Sequence, residues 1–458
     1  MDPRDLVVLT PPAHSDAGVA IAAVRAGSRG TLDLEWVTDP TTASAALARL
    51  AKFANGPFGV LLPPDGGPLP LADVTAARPA WIALSSPNER PIADVRAAGI
   101  EVLVEVTDLP GALAAVAARA DGIILKGHEA GGRVGADTAF VLVQKWARWA
   151  KTQERVPPFW VRGGVGPNTA AACLAAGARG VVLDSQLLLT RESLIAEDLR
   201  KRLAGSDGGE TAVLGERLGE AYRLYARADS PAFKALADEE ERLLALETPA
   251  GEKLQIWRAA VRARVAADPA VGAWPVGQEI GAAAGLAAKG RTVAGVLQAV
   301  AERAMKNLAT ARRVNALAEG GPLAKSHGTR YPILQGPMTR VSDTAAFAAA
   351  VAEGGALPFL ALALARKPEV EKLLAETSRK LGDRPWGVGV LGFVPPELRQ
   401  EQLEAVRAVK PPFAIIAGGR PDQAKELEKA GTATYLHVPS PGLLRMLLKD
   451  GARRFIFE

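Results

Sequence analysis

The stretch Gly122-Ile123-Ile124-Leu125-Lys126-Gly127-His128-Glu129-Ala130-Gly131-Gly132-Arg133-Val134-Gly135 opens as an apolar run and then breaks into glycines. Ile123-Ile124-Leu125 has the character of a strand buried on both faces. Lys126, His128, Glu129 and Arg133 are set among the glycines that follow. A buried strand that ends in a glycine-rich, charged loop is how α/β enzymes build sites at the C-terminal ends of their strands. Glycine lets backbone approach a ligand closely, and its N–H groups can face an anion.

The same strand-and-helix unit recurs on both sides. Candidate strands lie at 6–9, 32–37, 58–62, 81–84, 102–106, 122–125, 159–161 and 180–183, with helix patterns at 43–53, 92–98, 111–118, 138–151 and 169–176. Eight strands alternating with helices, in cycles of roughly 25 residues, predict a (β/α)8 TIM barrel. A doubly wound open sheet alternates in the same way. The barrel is preferred because the strand count reaches eight and no Gly-x-Gly-x-x-Gly follows the first strand. The seventh strand runs into Arg162-Gly163-Gly164-Val165-Gly166-Pro167-Asn168, followed by a helix from Thr169. Exposed glycine N–H groups ahead of a helix suit an anion, and barrels often bind phosphate with the loops after strands seven and eight. The eighth strand ends Leu183-Asp184-Ser185, and a carboxylate beside a phosphate is unfavourable unless it is turned away.

The glycine-rich stretch resembles the Gly-x-Glu-Ala-Gly-Gly-His-x-Gly signature of the nitronate monooxygenase (2-nitropropane dioxygenase) family, which includes flavin-dependent enoyl reductases. Gly127, Glu129, Ala130, Gly131, Gly132 and Gly135 match, and Arg133 stands where the family has its active-site histidine. The resemblance implies FMN as cofactor. It implies that Lys126, Gly127, Glu129, Gly131 and Gly132 approach the flavin and that Gly163, Gly164 and Ser185 hold its phosphate. Gly277-Gln278-Glu279-Ile280-Gly281 is similar to the family's Gly-Gln-x-x-Gly, which adds Gln278 to the cofactor-binding set. Position 133 is the family's base or acid. Arginine stays protonated near neutrality, so Arg133 is expected to pair with an anion, and His128 is the candidate general base. The plainer readings are a loop brace for Lys126 and Glu129, and a satisfied histidine for His128.

Beyond Arg191 the strand rhythm gives way to helix patterns at 194–203, 212–228, 231–246, 254–266 and 292–318. At Tyr331 it restarts. Tyr331-Pro332-Ile333-Leu334-Gln335-Gly336-Pro337-Met338 is similar to the family's opening Pro-Ile-x-Gln-Gly-Pro-Met, whose turn packs on the flavin, so Gln335, Gly336 and Met338 are assigned to cofactor binding. Where the family has Gly-Val-Asn this chain has Gly387-Val388-Gly389. Further strands at 359–362, 387–391, 413–417 and 434–438 repeat the first unit, and that period means tandem barrels rather than a solenoid. The expected organisation is a first barrel at 1–195, a helical cap or linker at 196–325, and the N-terminal part of a second barrel at 326–458. A barrel with six of its eight strands has open edges, so the chain is expected to be a fragment of a longer protein.

With 458 residues, 48% hydrophobic and 23% charged, the chain reads as two or three soluble globular domains. No apolar run is long enough to span a membrane and no signal peptide opens the chain, so a cytoplasmic, membrane-free protein is expected. A net charge of +5 with interspersed acids gives no nucleic-acid footprint. The single cysteine, Cys173, is expected in the core, and no metal site is expected. The resemblance implies an FMN-dependent oxidoreductase that oxidises alkyl nitronates with O2. The alternatives are an enoyl reductase taking hydride from NAD(P)H for an acyl-thioester substrate, inside a larger polyketide or fatty-acid synthase, and a degenerate barrel that acts as scaffold.

Overall fold

The computed structural model describes residues 2–64, 67–228, 230–266 and 268–457. Contact density divides the chain into two units, Met1–Thr310 and Ala311–Glu458.

In the first unit, strands β1 (Val7–Leu9), β2 (Arg29–Asp33), β3 (Gly59–Leu62), β4 (Trp81–Leu84), β5 (Glu101–Val106) and β6 (Gly122–Lys126) pair in chain order. A short strand β7 (Gly132–Val134) leaves the barrel, and β8 (Phe159–Arg162) and β9 (Gly180–Leu183) close it, with β9 returning to β1. All pairings are parallel, and the result is the (β/α)8 barrel the alternation predicts. The second strand sits at Arg29–Asp33 rather than 32–37, because Leu34-Glu35-Trp36 turns away as the loop at the strand's end.

Successive side chains of a parallel barrel strand face the lumen and the helix layer in turn. Val7, Leu61, Ala83, Leu103, Ile124, Trp160 and Val182 pack together in the lumen, while Val8, Val60, Ile82, Val104, Ile123, Val161 and Val181 join the larger core under the helices. Because both faces are apolar, these strands read as continuous hydrophobic runs. Trp81 and Trp160 plug the N-terminal end of the lumen, with the Arg29 guanidinium 4.3 Å and 5.3 Å from their ring centres. Cys173 is partly buried against the helix-layer core, and burial pushes its thiol up to about 11.

The helix that completes the eighth β/α unit is Val293–Val314, whose Val293, Val296, Leu297, Val300 and Ala304 pack into the barrel's outer core. Everything from Ser185 to Thr292 is therefore an insertion in the last β/α loop. It contains helices Pro231–Ala245 and Ala250–Arg264 and a hairpin, β10 (Thr211–Leu214) and β11 (Ala221–Tyr225). The hairpin corrects the helix expected over 212–228. Gly215 and Gly219 at φ +88° and +91° break any helix there, and Ala221-Tyr222-Arg223-Leu224-Tyr225 pairs as a strand. The hairpin's β11 also pairs antiparallel with β7.

The second unit has six parallel strands in chain order, β12 (Leu334–Gln335), β13 (Leu357–Ala361), β14 (Gly387–Leu391), β15 (Phe413–Ala417), β16 (Ala433–Val438) and β17 (Phe455–Phe457). Helices Ala345–Glu353, Lys367–Leu381, Pro396–Val409, Pro421–Lys429 and Pro441–Lys449 alternate with them. The tandem repeat of the same β/α architecture is thus present, closed in the first unit and open in the second. Among the described residues no helix is long and apolar enough to cross a membrane.

Candidate active site

Two positions beyond four of the apolar lumen residues, toward the C-terminal mouth, the first barrel carries a charge. Leu103 is followed by Glu105, Ile124 by Lys126, Trp160 by Arg162, and Val182 by Asp184, all buried. Lys126 Nζ donates to Glu105 Oε1 at 2.9 Å, and Arg162 Nη1 to Glu105 Oε2 at 2.5 Å. Arg162 also reaches Asp184 Oδ2 through Nε at 3.0 Å and Nη2 at 2.9 Å. Burial opposes the charge on Glu105, but Arg162 and Lys126 outweigh it and hold the carboxyl at about 2. The Arg162 guanidinium is stabilised well above its ordinary value by Glu105 and Asp184 against the same opposing burial. Asp33, at the end of β2, is buried without an ion-pair partner. Burial, then the charge of Glu35, raises it to about 7. Two cations pair with two carboxyls, and burial leaves the third partly protonated near neutral pH.

The glycine-rich loop follows β6. His128 is braced rather than free. Its Nδ1 lies 2.7 Å from the Gly135 carbonyl, its N–H donates to Asp137 O, and its own carbonyl accepts from Arg223 Nε at 2.9 Å. Glu129 Oε2 accepts the Ala139 N–H at 2.9 Å at the start of the next helix. Gly127 donates to the Arg162 carbonyl, and a side chain there would run into Ala139. Gly131 lies against Pro275–Gly277, where a Cβ would strike the Pro275 carbonyl and approach Gly277 N to 2.8 Å. Gly131→Ala is expected to destabilise the first unit by about 1–3 kcal/mol, as overpacking against backbone does. A chemical-denaturation midpoint equal to wild type would show that the loop yields instead.

Gly163 and Gly164, at φ +98° and +63°, form the turn after β8. Gly163 is pressed against Ala130, whose N would lie 2.8 Å from a Cβ. Several backbone donors around this turn are taken by side chains of the chain itself. Gly164 N–H donates to Glu279 Oε2 (3.1 Å), Gly166 N–H to Thr169 Oγ1 (2.7 Å) and Asp184 N–H to Gln186 Oε1 (2.8 Å). Ser185 N–H donates to Asp184 Oδ1 (2.5 Å), and the Ser185 hydroxyl accepts the Gly277 N–H (3.2 Å). Gln278 donates its N–H to the Glu129 carbonyl at 2.8 Å, but its side chain is exposed, and Glu279 is the residue that turns inward. Burial raises the Glu279 carboxyl to about 8, and the charge of Asp184 adds to it.

Arg133 is the middle residue of β7, opposite Tyr222 of β11. Its guanidinium donates to the Ser85 carbonyl at the end of β4. It lines a cavity of about 540 Å3 at the mouth, together with Glu35, Trp36, Ser86, Glu220, Tyr222 and Arg258. Burial works against ionisation of Glu220, but hydrogen bonds from Arg258 and Tyr222 hold its carboxyl below the ordinary value. Burial and Glu220 push the Tyr222 phenol up. His128 does not line this cavity, so the structure does not bring together the two residues the sequence proposes as catalytic.

Gln335, Gly336 and Met338 belong to the second unit. Gln335 Oε1 accepts the Phe359 N–H at 3.2 Å, Gly336 has open space on its Cβ side, and Met338 N–H donates to Ser342 Oγ at 2.7 Å. Gly389 lies under Pro337, and any side chain there would collide with the proline ring.

The first barrel does not fit a phosphorylated flavin as it stands. The Gly164 and Gly166 N–H groups are engaged internally, a carboxyl lies on Gly164, and the lumen beneath is closed by ion pairs. Sequence reading missed Glu105, Asp33 and Glu279. A charge two places after an apolar lumen residue was the available signal for Glu105, whereas Asp33 follows Thr31, and Glu279 is visible only once the 274–280 segment is seen beside β8.

A family model for nitronate monooxygenase matches residues 71–280. Two curated (3aS,4S,5R,7aS)-5-hydroxy-7a-methyl-1-oxo-octahydro-1H-indene-4-carboxyl-CoA dehydrogenases are similar. The one from Rhodococcus jostii is 27% identical over 177 residues, 38% of this chain and 49% of its own length. The one from Mycobacterium tuberculosis is 29% identical over 198 residues, 42% and 55% respectively. The chain thus spans about half the length of the curated relatives it matches. Among solved structures, FabK from Thermotoga maritima aligns with a TM-score of 0.53 at 21% identity, over 67% of this chain and 94% of its own. The enoyl reductase domain of MlnA from Bacillus amyloliquefaciens aligns with a TM-score of 0.54 at 13% identity, over 68% and 95%. These two likenesses concern the fold. The signature loop, the glycine turn and the segment bearing Glu279 all lie inside the stretch, residues 71–280, that matches the nitronate monooxygenase family model.

Proposed function

We propose that the protein is a flavin-dependent oxidoreductase of nitronate monooxygenase type, with FMN held by the second unit rather than the first. The observation that carries this reading is the contrast between the two strand-end surfaces. In the first unit that surface is filled by Glu105, Lys126, Arg162, Asp184 and Glu279. In the second, Met338, Leu364 and Phe393, on the loops after β12, β13 and β14, are 44%, 68% and 72% exposed. Large apolar side chains left in water on successive strand ends suit a flat aromatic ligand. Gln335 braces the turn from beneath, and Gly336 lets a ring approach the backbone. Bound there, FMN would supply the redox step, while the protein binds, orients and excludes water. The substrate of this reading is an alkyl nitronate. An acyl thioester, as in an enoyl reductase module of a larger synthase, is the second reading, favoured by the carboxyl-CoA names of both curated relatives.

The test is a visible absorption titration of the whole chain with FMN. One equivalent is expected, and Met338→Asp should weaken it about tenfold or more, the equivalent of about 1.4 kcal/mol. Uptake that is unaffected by Met338→Asp would move the flavin elsewhere. Nitronate oxidation and NAD(P)H-driven enoyl reduction, assayed side by side, then separate the two substrate classes.

A further inference from the structure

We propose that the mouth cavity of the first barrel binds a small zwitterion, an amino-carboxylate whose ammonium meets Glu35 and whose carboxylate meets Arg133. This goes beyond the flavin reading, which concerns the second unit, and does not depend on it.

The cavity, of about 540 Å3, is walled by the loop after β2, by β7 and by the hairpin of the insertion. One of its carboxylates is satisfied within the wall. Glu220 accepts two bonds from Arg258, at 2.9 Å and 2.7 Å, and a third from the Tyr222 hydroxyl. Glu35 is not. It is only 6% exposed, and its Oε2 is buried with no hydrogen-bond partner. Its backbone N–H donates to Asp33 Oδ1 at 2.8 Å, so the group beside it is another carboxyl. A buried carboxylate oxygen without a donor is costly, and folded proteins keep few of them.

Arg133 is the complement. A guanidinium has five N–H donors, and the acceptor Arg133 meets is a neutral one, the Ser85 carbonyl. Among the described residues neither Glu35 nor Arg133 has an ion-pair partner. Both charges nevertheless reach the Tyr222 phenol. After burial and Glu220, which push it up, Arg133 draws it down and Glu35 pushes it up further. An unpaired anion and an unpaired cation on one cavity, too far apart to join each other, are matched by a ligand with opposite charges at its two ends. A simple anion would bring a like charge toward Glu35, and a simple cation would do the same to Arg133.

The surroundings suit an apolar body between those ends. Trp36 and Tyr222 stand edge to face, with ring centres 6.0 Å apart. A second recess of about 530 Å3 shares Pro63, Pro64, Ser86 and Asn88 with the cavity and is walled in part by Leu62, Leu69 and Leu84. Apolar walls with a few convergent polar groups are the usual make-up of a small-molecule site.

Isothermal titration of the whole chain tests this with two zwitterions, L-leucine, whose charges sit close together, and 6-aminohexanoate, whose charges are spaced apart. One of them is expected to bind saturably, at least about tenfold more tightly than hexylamine or hexanoate, which carry one charge each. Glu35→Gln should erase the advantage of the zwitterion over hexanoate, and Arg133→Met its advantage over hexylamine, a change of preference that mere loosening of the wall would not produce. Binding of neither zwitterion, or hexanoate bound as tightly as both, overturns the proposal. Should Glu35→Gln not fold, the comparison of the four ligands on wild type decides alone. FMN uptake is expected to be equal in wild type and folded Glu35→Gln, and its loss in the variant would place flavin in this cavity and overturn the zwitterion site.

Discussion

Arg162→Ala unfolds or severely weakens the first unit while leaving the second unchanged. Arg162 is buried and bonds both Glu105 and Asp184. Its loss leaves Asp184 without an ion-pair partner and Glu105 with Lys126 only. Removing one partner of a buried ion pair typically costs about 3–5 kcal/mol, because an uncompensated charge stays behind. That is a large part of a domain's usual stability of about 5–15 kcal/mol. Tryptophan fluorescence is a suitable probe, since Trp81 and Trp160 lie directly beneath the ion-pair layer and Trp386 reports on the second unit. In urea, the first transition should move to markedly lower concentration. Adding Glu105→Gln to Arg162→Ala should recover part of the loss, since the two residues share a bond and their effects should not add. An unshifted first transition would mean that water reaches the lumen and screens these charges.

The first unit should lose stability as pH rises from about 5 to about 8. Asp33 and Glu279 have pKa values of about 7 and about 8 in the fold, against ordinary values of 3.8 and 4.5. Between those limits the folded state holds protons that the unfolded chain has released. Stability is therefore fully present below the ordinary carboxyl range and falls as pH rises through the folded values, by at most about 1.4 kcal/mol per pH unit for each group. Asp33 feels burial first, then Glu35, with Arg162 opposing, and Glu279 feels burial and then Asp184, with the Gly164 N–H opposing. Two other groups act outside or against this window. Glu105, held at about 2, matters only in acid, where its contribution is lost as pH falls. His14, depressed by burial, favours the folded state as pH rises toward the ordinary histidine value and opposes the trend there. Urea midpoints at several pH values check the sign, and Asp33→Asn with Glu279→Gln should flatten the slope. A midpoint that climbs from pH 5 to 8 in wild type would refute the assignment.

The barrel was legible because its strands are buried on both faces and therefore print as short apolar runs separated by helix patterns. Val102-Leu103-Val104 and Val181-Val182-Leu183 name their strands without help from tertiary contacts. The second strand was placed too late because Leu32 and Leu34 straddle its end, and alternation alone does not say where pairing stops. The insertion was harder. Its hairpin pairs with β7, far away in sequence, and the alanines around Ala212 and Ala226 mimic a helix. At the site, the signature loop named the right segment, but it could not say which neighbour of Gly277 faces inward. Gln278 carries the motif, yet a 3-10 turn from Gln278 to Ala282 exposes it and buries Glu279. Single side-chain direction of that kind follows from one turn's geometry, which no local pattern encodes.

The pairing of β7 with β11 also bears on how the chain is made. As it leaves the ribosome, every barrel strand through β9 is available before Tyr222 exists to meet Arg133. Until then Gly132–Val134 presents an unsatisfied edge beside a nearly finished sheet, a site for chaperone capture or for wrongful pairing with another nascent chain. The insertion is accordingly no detachable cassette. A shuffling event that exchanged or deleted it would leave the barrel countable strand by strand, and its signature loop without a partner.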